Sequence, residues 1–406
     1  MTATRRYNYR LRPGKQAEEW LVREAGRSRF VWNQLVAADK KCYADTKKSL
    51  TLADTGGLLT ALRAEHDWLR EGAQIPAQQE VRNYQQARNQ AFRQPQRGFP
   101  KFKSRHCSLP SLQYTRGAFS VTEDGRLRLV KAPKTVPVVW SRELPNEPSS
   151  VRVFQDSLGH WYASFVVSVD EPGLPANDSA IGVDWGVKVV ANTTDSEFNL
   201  KHNEYGKKAQ AKLTRYQRQM SRRRQPKGKA QTKGYVKARK LAAKTHKKVA
   251  RQRKDAAVKW ANKIVETHGK IAVEDFKPKF IAKSRMARKA ADGGIAIAKR
   301  ELISQAERSG RDVVLVNPAF TTQTCCSCGL TKPKQSRLQL NDRIFICECG
   351  VKLDRDLNAS LVVLRKAFPE HAVGLIRRHV EGVRPAESTD DAGSLSVESP
   401  DFSRGE

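Results

Sequence analysis

Cys325-Cys-Ser-Cys328 and Cys347-Glu-Cys349, each followed directly by glycine and separated by 18 residues, constrain this chain more than any other feature. The glycines permit tight turns that aim two thiol pairs at one point, and four thiolates around one point bind tetrahedral Zn²⁺ by default. The expected ligands are therefore Cys325, Cys328, Cys347 and Cys349. The second pair is C-x-C, one residue shorter than the usual knuckle, and Cys326 stands as a spare or alternate ligand. Disulfides do not account for the pattern, because five of seven cysteines crowd into 325–349 while Cys42 and Cys107 lie alone. A redox dithiol is disfavoured because two pairs occur together. A ribbon of this kind orders a loop, with or without a further contact to nucleic acid.

Charge defines the partner. The chain has 75 Lys and Arg against 42 acids in 406 residues, a formal charge of +33. Such self-repulsion is unusual for a free-standing small-molecule enzyme or a scaffold, and a polyanion relieves it. Residues 201–260 alone hold 22 basic side chains and two acids, and a solvated helical face without a partner is a poor account of that density. The length allows two to four compact units with ample core. There is no apolar run of eighteen residues, and MTATRRYNYRLRP lacks the apolar centre of a secretory signal, so a cytoplasmic location is expected. Residues 386–406 carry six acids and one arginine among Ser, Gly and Pro, the composition of a disordered acidic tail.

Periodicity places the elements. A short strand is expected at Tyr7–Leu11, closed by Pro13. Trp20, Leu21, Ala25, Val31, Trp32 and Leu35 share a helical face, and a second helix is expected from about Pro76 to Phe92. Val151 and Val153, then Ala163, Phe165, Val167 and Val169, alternate about a turn at Asp156–Gly159 and predict a hairpin. After a linker at Pro172–Asn177, Ile181–Gly186 reads as a buried strand and a glycine turn into a second strand at Val187–Asn192. The basic stretch breaks at Gln225–Gly228, which predicts a hairpin of two long helices. A strand at Ile271–Asp275, a helix near 294–308, a strand at Val313–Val316 and a helix from about Leu357 complete an α/β half.

Three acids stand at equivalent places in that half. Asp184 ends one apolar strand, Glu274 ends another, and Asp356 opens the last helix. Singly, each has an ordinary reading as a turn residue, a solvated strand end or an N-cap. Together, in a very basic chain, converging carboxylates stay ionised only beside cations, and hard oxygen ligands favour Mg²⁺ or Mn²⁺. Asp354 competes with Asp356 for the third place. Asp275 competes less, since its side chain points opposite to that of Glu274.

These motifs in this order resemble the TnpB family, the RNA-guided nucleases of bacterial transposons, and the compact type V CRISPR effectors derived from them. The resemblance runs from about Tyr7 to Pro385. It rests on RFVWN at Arg29–Asn33, GFPKFKSR at Gly98–Arg105, GRLRL at Gly125–Leu129, GVDWG at Gly182–Gly186, VEDF at Val273–Phe276, the two cysteine pairs, DRDLNAS at Asp354–Ser360 and GVRP at Gly382–Pro385. It implies a multidomain α/β and β architecture: a β-barrel wedge at 1–13 and 96–175, and a helical recognition lobe at 14–95. A RuvC-like, RNase H-type nuclease would occupy 176–316 and 352–385, with a basic hairpin at about 203–268, a zinc ribbon inserted at 317–351 and the tail at 386–406. It further implies Asp184, Glu274 and Asp356 as catalytic ligands of two Mg²⁺ or Mn²⁺ ions. The partners it implies are a structured guide RNA, held by one or two protomers, and target DNA. Gln74, Ile75, Gln78, Thr115 and Arg116 match positions near the short flanking motif of that DNA. Ser360 departs from the more frequent alanine of its motif.

The expected function is RNA-guided endonuclease, associated with the nucleoid when bound. The alternatives are a guide-RNA-bound protein that blocks transcription or nicks at most, a zinc-ribbon RNA-binding protein without catalysis, and a transposase of the same fold for which a guide is dispensable. The acid triad argues against a ribbon protein without catalysis, which has no use for three carboxylates in a phosphate-rich groove.

Overall fold

The computed structural model describes residues 2–105, 108–170, 173–226, 228–276, 284, 286–339 and 341–381. Cys107, Pro172, Lys227, the GVRP motif and the 386–406 tail lie outside the described residues. The chain divides into two compact units, residues 1–172 with 211–247, and residues 173–210 with 248–406.

In the first unit, β1 (Thr2–Leu11) leads into α1 (Lys15–Thr46), α2 (Leu52–Glu65), the single turn α3 (Asp67–Arg70) and α4 (Gln74–Arg93). The strands β2 (Ser111–Thr115), β3 (Phe119–Val121), β4 (Arg126–Leu129), β5 (Val136–Val139), β6 (Ser150–Gln155) and β7 (Trp161–Asp170) follow. The seven strands form one sheet in the order β2-β6-β7-β1-β5-β4-β3. Its two outer strands, β2 and β3, are joined by three residues, so the sheet curls until its edges approach and makes a near-barrel. Tyr9, Leu11, Leu112, Tyr114, Val151, Val153, Phe165 and Val167 fill it.

The first strand is longer than its expected five residues, because it pairs with β7 from Thr2↔Asp170 to Arg10↔Tyr162. Main-chain pairing of that length carries Arg5 and Arg6 into a strand that composition alone does not favour. Outside the barrel, Val31, Trp32 and Leu35 of α1 meet Leu59 and Leu62 of α2 and Val81 and Tyr84 of α4. Helix α2 was not expected from the sequence, although a capping box joins Thr51 and Asp54 at its start.

The second unit is built on β8 (Ala180–Trp185), β9 (Val189–Thr193), β10 (Leu200–Lys201), β11 (Lys270–Glu274) and β12 (Asp312–Val316), in the order β10-β9-β8-β11-β12. β8, β11 and β12 are parallel, while β9 pairs antiparallel with β8 and β10 pairs antiparallel with β9. Between β10 and β11 come the basic helices α5 (Tyr205–Arg223) and α6 (Lys233–Thr267), parts of which belong to each unit. α7 (Ala287–Gly293) and α8 (Ile295–Arg308) precede β12; the ribbon hairpin β13 (Ile344–Ile346) and β14 (Lys352–Asp354) leads into α9 (Arg355–Ala367) and α10 (Pro369–Glu381). Helix α9 begins two residues before its expected start.

Alternation divides the central strands between two layers. Ile181, Val183 and Trp185 of β8, with Ile271 and Val273 of β11, pack on Trp260, Ala261 and Ile264 of α6 and Ala298 and Leu302 of α8. The intervening residues, Gly182 and Asp184 on β8 and Ala272 and Glu274 on β11, therefore face the other layer. That layer is α9, whose Leu361, Val363 and Leu364 share a core with Ala272 and Val316.

Candidate active site and metal centre

Two acids stand side by side on this face. Val183 pairs with Val273 in the parallel β8–β11 ladder, so the next residues, Asp184 and Glu274, emerge at adjacent strand ends. They are 4 % and 5 % exposed. Asp184 shares a side-chain hydrogen bond with Glu274, and its carboxyl is held well above the usual range by burial and by the charges of Glu274 and Asp356. Glu274 is raised as well, by burial, although the Thr321 hydroxyl donates to its Oε1 at 3.0 Å and pulls the other way.

Asp356 enters from the second position of α9. Its Oδ1 accepts from Nε and Nη2 of Arg355 at 3.2 and 3.1 Å, and Arg343 Nη1 lies 3.8 Å from its Oδ2. The competitor Asp354 is the N-cap: its Oδ1 accepts from the backbone amides of Asp356 and Leu357 at 2.9 and 3.1 Å. Asp275 turns away from Glu274 to pair with Lys299 at 2.5 Å. The structure thus brings Asp184 within electrostatic reach of both Glu274 and Asp356 and gives Asp354 and Asp275 other partners.

This donor set fits a divalent cation. Burial raises both carboxyls more than the nearby charges of Arg355 and Lys299 lower them, and a hard cation would offset that cost. Arg355, which lowers Asp184 against the other influences, is the group that sequence reasoning missed; adjacency to Asp356 was its only signal.

The thiols gather more tightly. Cys325, Cys328, Cys347 and Cys349 bring their sulphurs within 4.8 Å of one another, with Cys325–Cys349 and Cys328–Cys347 both at 3.6 Å. The short C-x-C pair thus supplies two of the four sulphurs of a cluster of the kind that binds zinc. Cys326 is not one of the four: it is buried in the α9 core with its thiol hydrogen-bonded to Cys325, and its backbone amide donates to Asn358 Oδ1 at 3.0 Å. The Leu330 amide lowers the Cys328 thiol to about 7, whereas burial pushes Cys347 up to about 12. Four such sulphurs become thiolates together only around a cation. Protein purified without chelator is expected to carry about one zinc per chain by elemental analysis, and fully folded zinc-free protein would refute the ribbon.

Asn358, also unforeseen, joins ribbon to site. Buried on α9, it accepts from Cys326 and donates to the Thr324 carbonyl oxygen at 2.8 Å. Arg365, about two and a half turns along from Asp356, donates to the carbonyl oxygens of Cys326 and Ser327 at 2.8 and 2.6 Å. One helix therefore carries both the third acid and the clamp on the first cysteine knuckle.

In the first unit, Gln74, Ile75 and Gln78 occupy the first turns of α4, and Thr115 and Arg116 lie at the end of β2, on which α4 packs. Gln74, Gln78 and Arg116 are exposed, while Ile75 and Thr115 are partly covered. The start of α4 is fixed by Glu24, whose Oε2 accepts from the Ala73 amide at 3.2 Å and whose Oε1 pairs with Arg27 at 2.6 Å.

Sheet order, acid placement and the cluster of four cysteines together define the class: a RuvC-like, RNase H-type fold with a zinc-ribbon insertion, and a second unit that is a β-barrel bearing helices. A structure titled "Cryo-EM structure of the Cas12f1-sgRNA-target DNA complex" matches with a TM-score of 0.56 over 89 % of this chain and 98 % of that one, at 13 % identity, and agrees with this fold. Families described as "Cas12f1-like, TNB domain", "Probable transposase" and "Helix-turn-helix domain" match residues 298–363, 164–285 and 1–48. The last of these segments is here a strand and one uninterrupted helix. A "Putative RNA-guided DNA endonuclease" of Streptomyces pristinaespiralis is 29 % identical, covering 97 % of this chain and 95 % of the relative. The "Putative RNA-guided DNA endonuclease InsQ" of Escherichia coli (strain K12) is 28 % identical, covering 93 % and 95 %. The chain is a TnpB-like protein, related to the compact type V effectors. Among the described residues, no helix is long and apolar enough to cross a membrane.

Proposed function

We propose that this protein is an RNA-guided DNA endonuclease that uses Mg²⁺ or Mn²⁺ at Asp184, Glu274 and Asp356. The observation that carries the reading is the pair of buried acids on adjacent parallel strands facing a third on α9, a placement costly to folding and useful only beside cations. The relatives' names support the reaction. When bound, two such ions activate water and stabilise the leaving oxygen of a phosphodiester. The chain's own residues then have defined tasks. Asp184 and Glu274 hold ligand oxygens at a rigid sheet edge, Thr321 orients Glu274, and Arg355 steadies Asp356 until it is needed. Gln74, Ile75, Gln78, Thr115 and Arg116 are assigned to the short duplex motif, and guide–target pairing reads the remainder.

The basic helices α5 and α6 are assigned to the guide, meeting phosphates without reading sequence. Lys212, Arg218, Lys237 and Lys244 are exposed on them. Changing all four to Gln is expected to leave the melting temperature unchanged and to weaken RNA binding. Each of these charges that meets a phosphate should flatten the salt dependence by about 0.7–0.9 in log–log slope. An unchanged slope would return these helices to solvent.

Sequencing RNA that co-purifies from the native host tests the whole reading. A discrete scaffold species with a variable end should appear, and its end names the DNA on which to measure Mg²⁺-dependent cutting. Heterogeneous RNA released by moderate salt would overturn the guided part. Guided binding without cutting would leave a transcriptional block.

A further inference from the structure

Asn192 is an anomaly among the described residues of the second unit. It lies on β9 directly opposite Asp184 in the antiparallel β8–β9 ladder, so the two side chains stand on one face of the sheet. Its predecessors Val190 and Ala191 are buried and apolar, and an apolar side chain is the ordinary choice beside them. Instead there is an amide, 7 % exposed, whose Nδ2 is buried without a partner. The polar residues that follow are satisfied. Thr193 Oγ1 is hydrogen-bonded to the Asp195 carbonyl oxygen, and Thr194 Oγ1 accepts from the Gly182 amide at 3.3 Å. Gly186 leaves room beside the orphan, since a Cβ there would stand 3.1 Å from Nδ2. A buried donor left unpaired is costly, and its persistence calls for an acceptor that arrives later.

Strand order supplies the acceptor. β8 lies between β9 and β11, so Asp184 has Glu274 on one side and Asn192 on the other. We propose that Asn192 is a positioning residue of the carboxylate site, donating its amide hydrogen to the Asp184 carboxylate once that group binds a divalent cation. The inference rests on the reading of Asp184 and Glu274 as an ion site. Asp184 is hydrogen-bonded to Glu274 on one side, which leaves the side facing β9 for the amide of Asn192. Ionised, the carboxylate offers more acceptor positions than a cation uses, and a donor on the far strand fixes its rotamer. A neutral amide suits the task. A lysine or arginine there would neutralise Asp184 and displace the ion.

The test uses full-length protein with its guide RNA and zinc, titrated with Mn²⁺, with Asn192→Val, Asn192→Thr and Asp184→Asn in parallel. Asn192→Val removes the orphaned donor, so its melting temperature without Mn²⁺ should equal or exceed the wild type. Its Mn²⁺ affinity, read from the Mn²⁺-dependent rise in melting temperature and from free Mn²⁺ by EPR, should fall about 10–100-fold. Asn192→Thr restores a donor on a side chain suited to strands and should recover part of the affinity. If Asn192→Val fails to fold, the same comparison is made on Asn192→Thr, whose shorter donor should bind Mn²⁺ measurably more weakly than the wild type. Unchanged Mn²⁺ affinity in the folded variants, alongside its loss in Asp184→Asn, would overturn the role of Asn192 alone. Unchanged affinity in Asp184→Asn as well would overturn the ion site itself.

Discussion

Asp184→Asn should reduce target cleavage by on the order of 10³-fold, about 4 kcal/mol of barrier, while guide and target binding stay near the wild-type level. Asp184 is almost wholly buried and sits at the sheet edge, so its loss removes an ion ligand without removing a nucleic-acid contact. The same substitution should alter stability in a direction that a structural role would not produce. The folded protein holds the Asp184 carboxyl above its ordinary value, chiefly through burial and then through Glu274 and Asp356. A folded pKa above the unfolded one means that the native state binds more protons. Its stabilising contribution is full below the unfolded value, about 3.9, and is lost as pH rises through the folded one. Melting temperature without added Mg²⁺ should therefore decline with rising pH in the wild type and decline less in Asp184→Asn. Added Mg²⁺ should restore the wild type alone. Cleavage that survives in Asp184→Asn, measured on the DNA named by the co-purified guide, would move catalysis elsewhere.

The parts of this site that were legible in the sequence are those set by one strand or one turn. Asp184 and Glu274 each close an apolar run, and strands that end together in a parallel ladder bring such residues side by side. The cysteine pairs were legible for a similar reason, since each knuckle is local and ends in glycine. What escaped depends on partners distant in the chain. Asn358 reads as an undistinguished helix residue until its bonds to Cys326 and Thr324, more than thirty positions earlier, are seen. Asn192 hides within Val-Val-Ala-Asn-Thr, and only the register across β8 and β9 sets it against Asp184. The start of β1 was missed because arginines interrupt it, although Arg5, Tyr7 and Tyr9 are each more covered than their neighbours. Helix α10 follows α9 after a break at Phe368, where Pro369 begins a new first turn.

Gly182 is where fold and chemistry meet most closely, and Gly182→Ala should show it. The glycine lies on the α9 face of β8, two residues before Asp184. A methyl group there would overlap the Ser360 carbonyl oxygen and stand 2.9 Å from Leu364 Cβ. The first obstacle is backbone, which cannot swing aside as a side chain does. Helix α9 must therefore lift from the sheet, at a cost of roughly 1–3 kcal/mol and a melting temperature lower by several degrees. The lift also carries Asp356 away from Asp184 and Glu274, because α9 is the element that delivers it. A misplacement of about 1 Å costs about 10²-fold in rate when reacting groups must be aligned, so cleavage should fall by that order even where the protein remains folded. Zinc content should hold, since Asn358 and Arg365 move with the helix and keep the ribbon on it. That combination separates the variant from a ribbon mutant, which loses metal first, and from Asp184→Asn, which loses activity without loss of stability. Wild-type cleavage and melting in Gly182→Ala would mean that α9 does not rest on β8 as the structure has it, and the placement of Asp356 would fall with that contact.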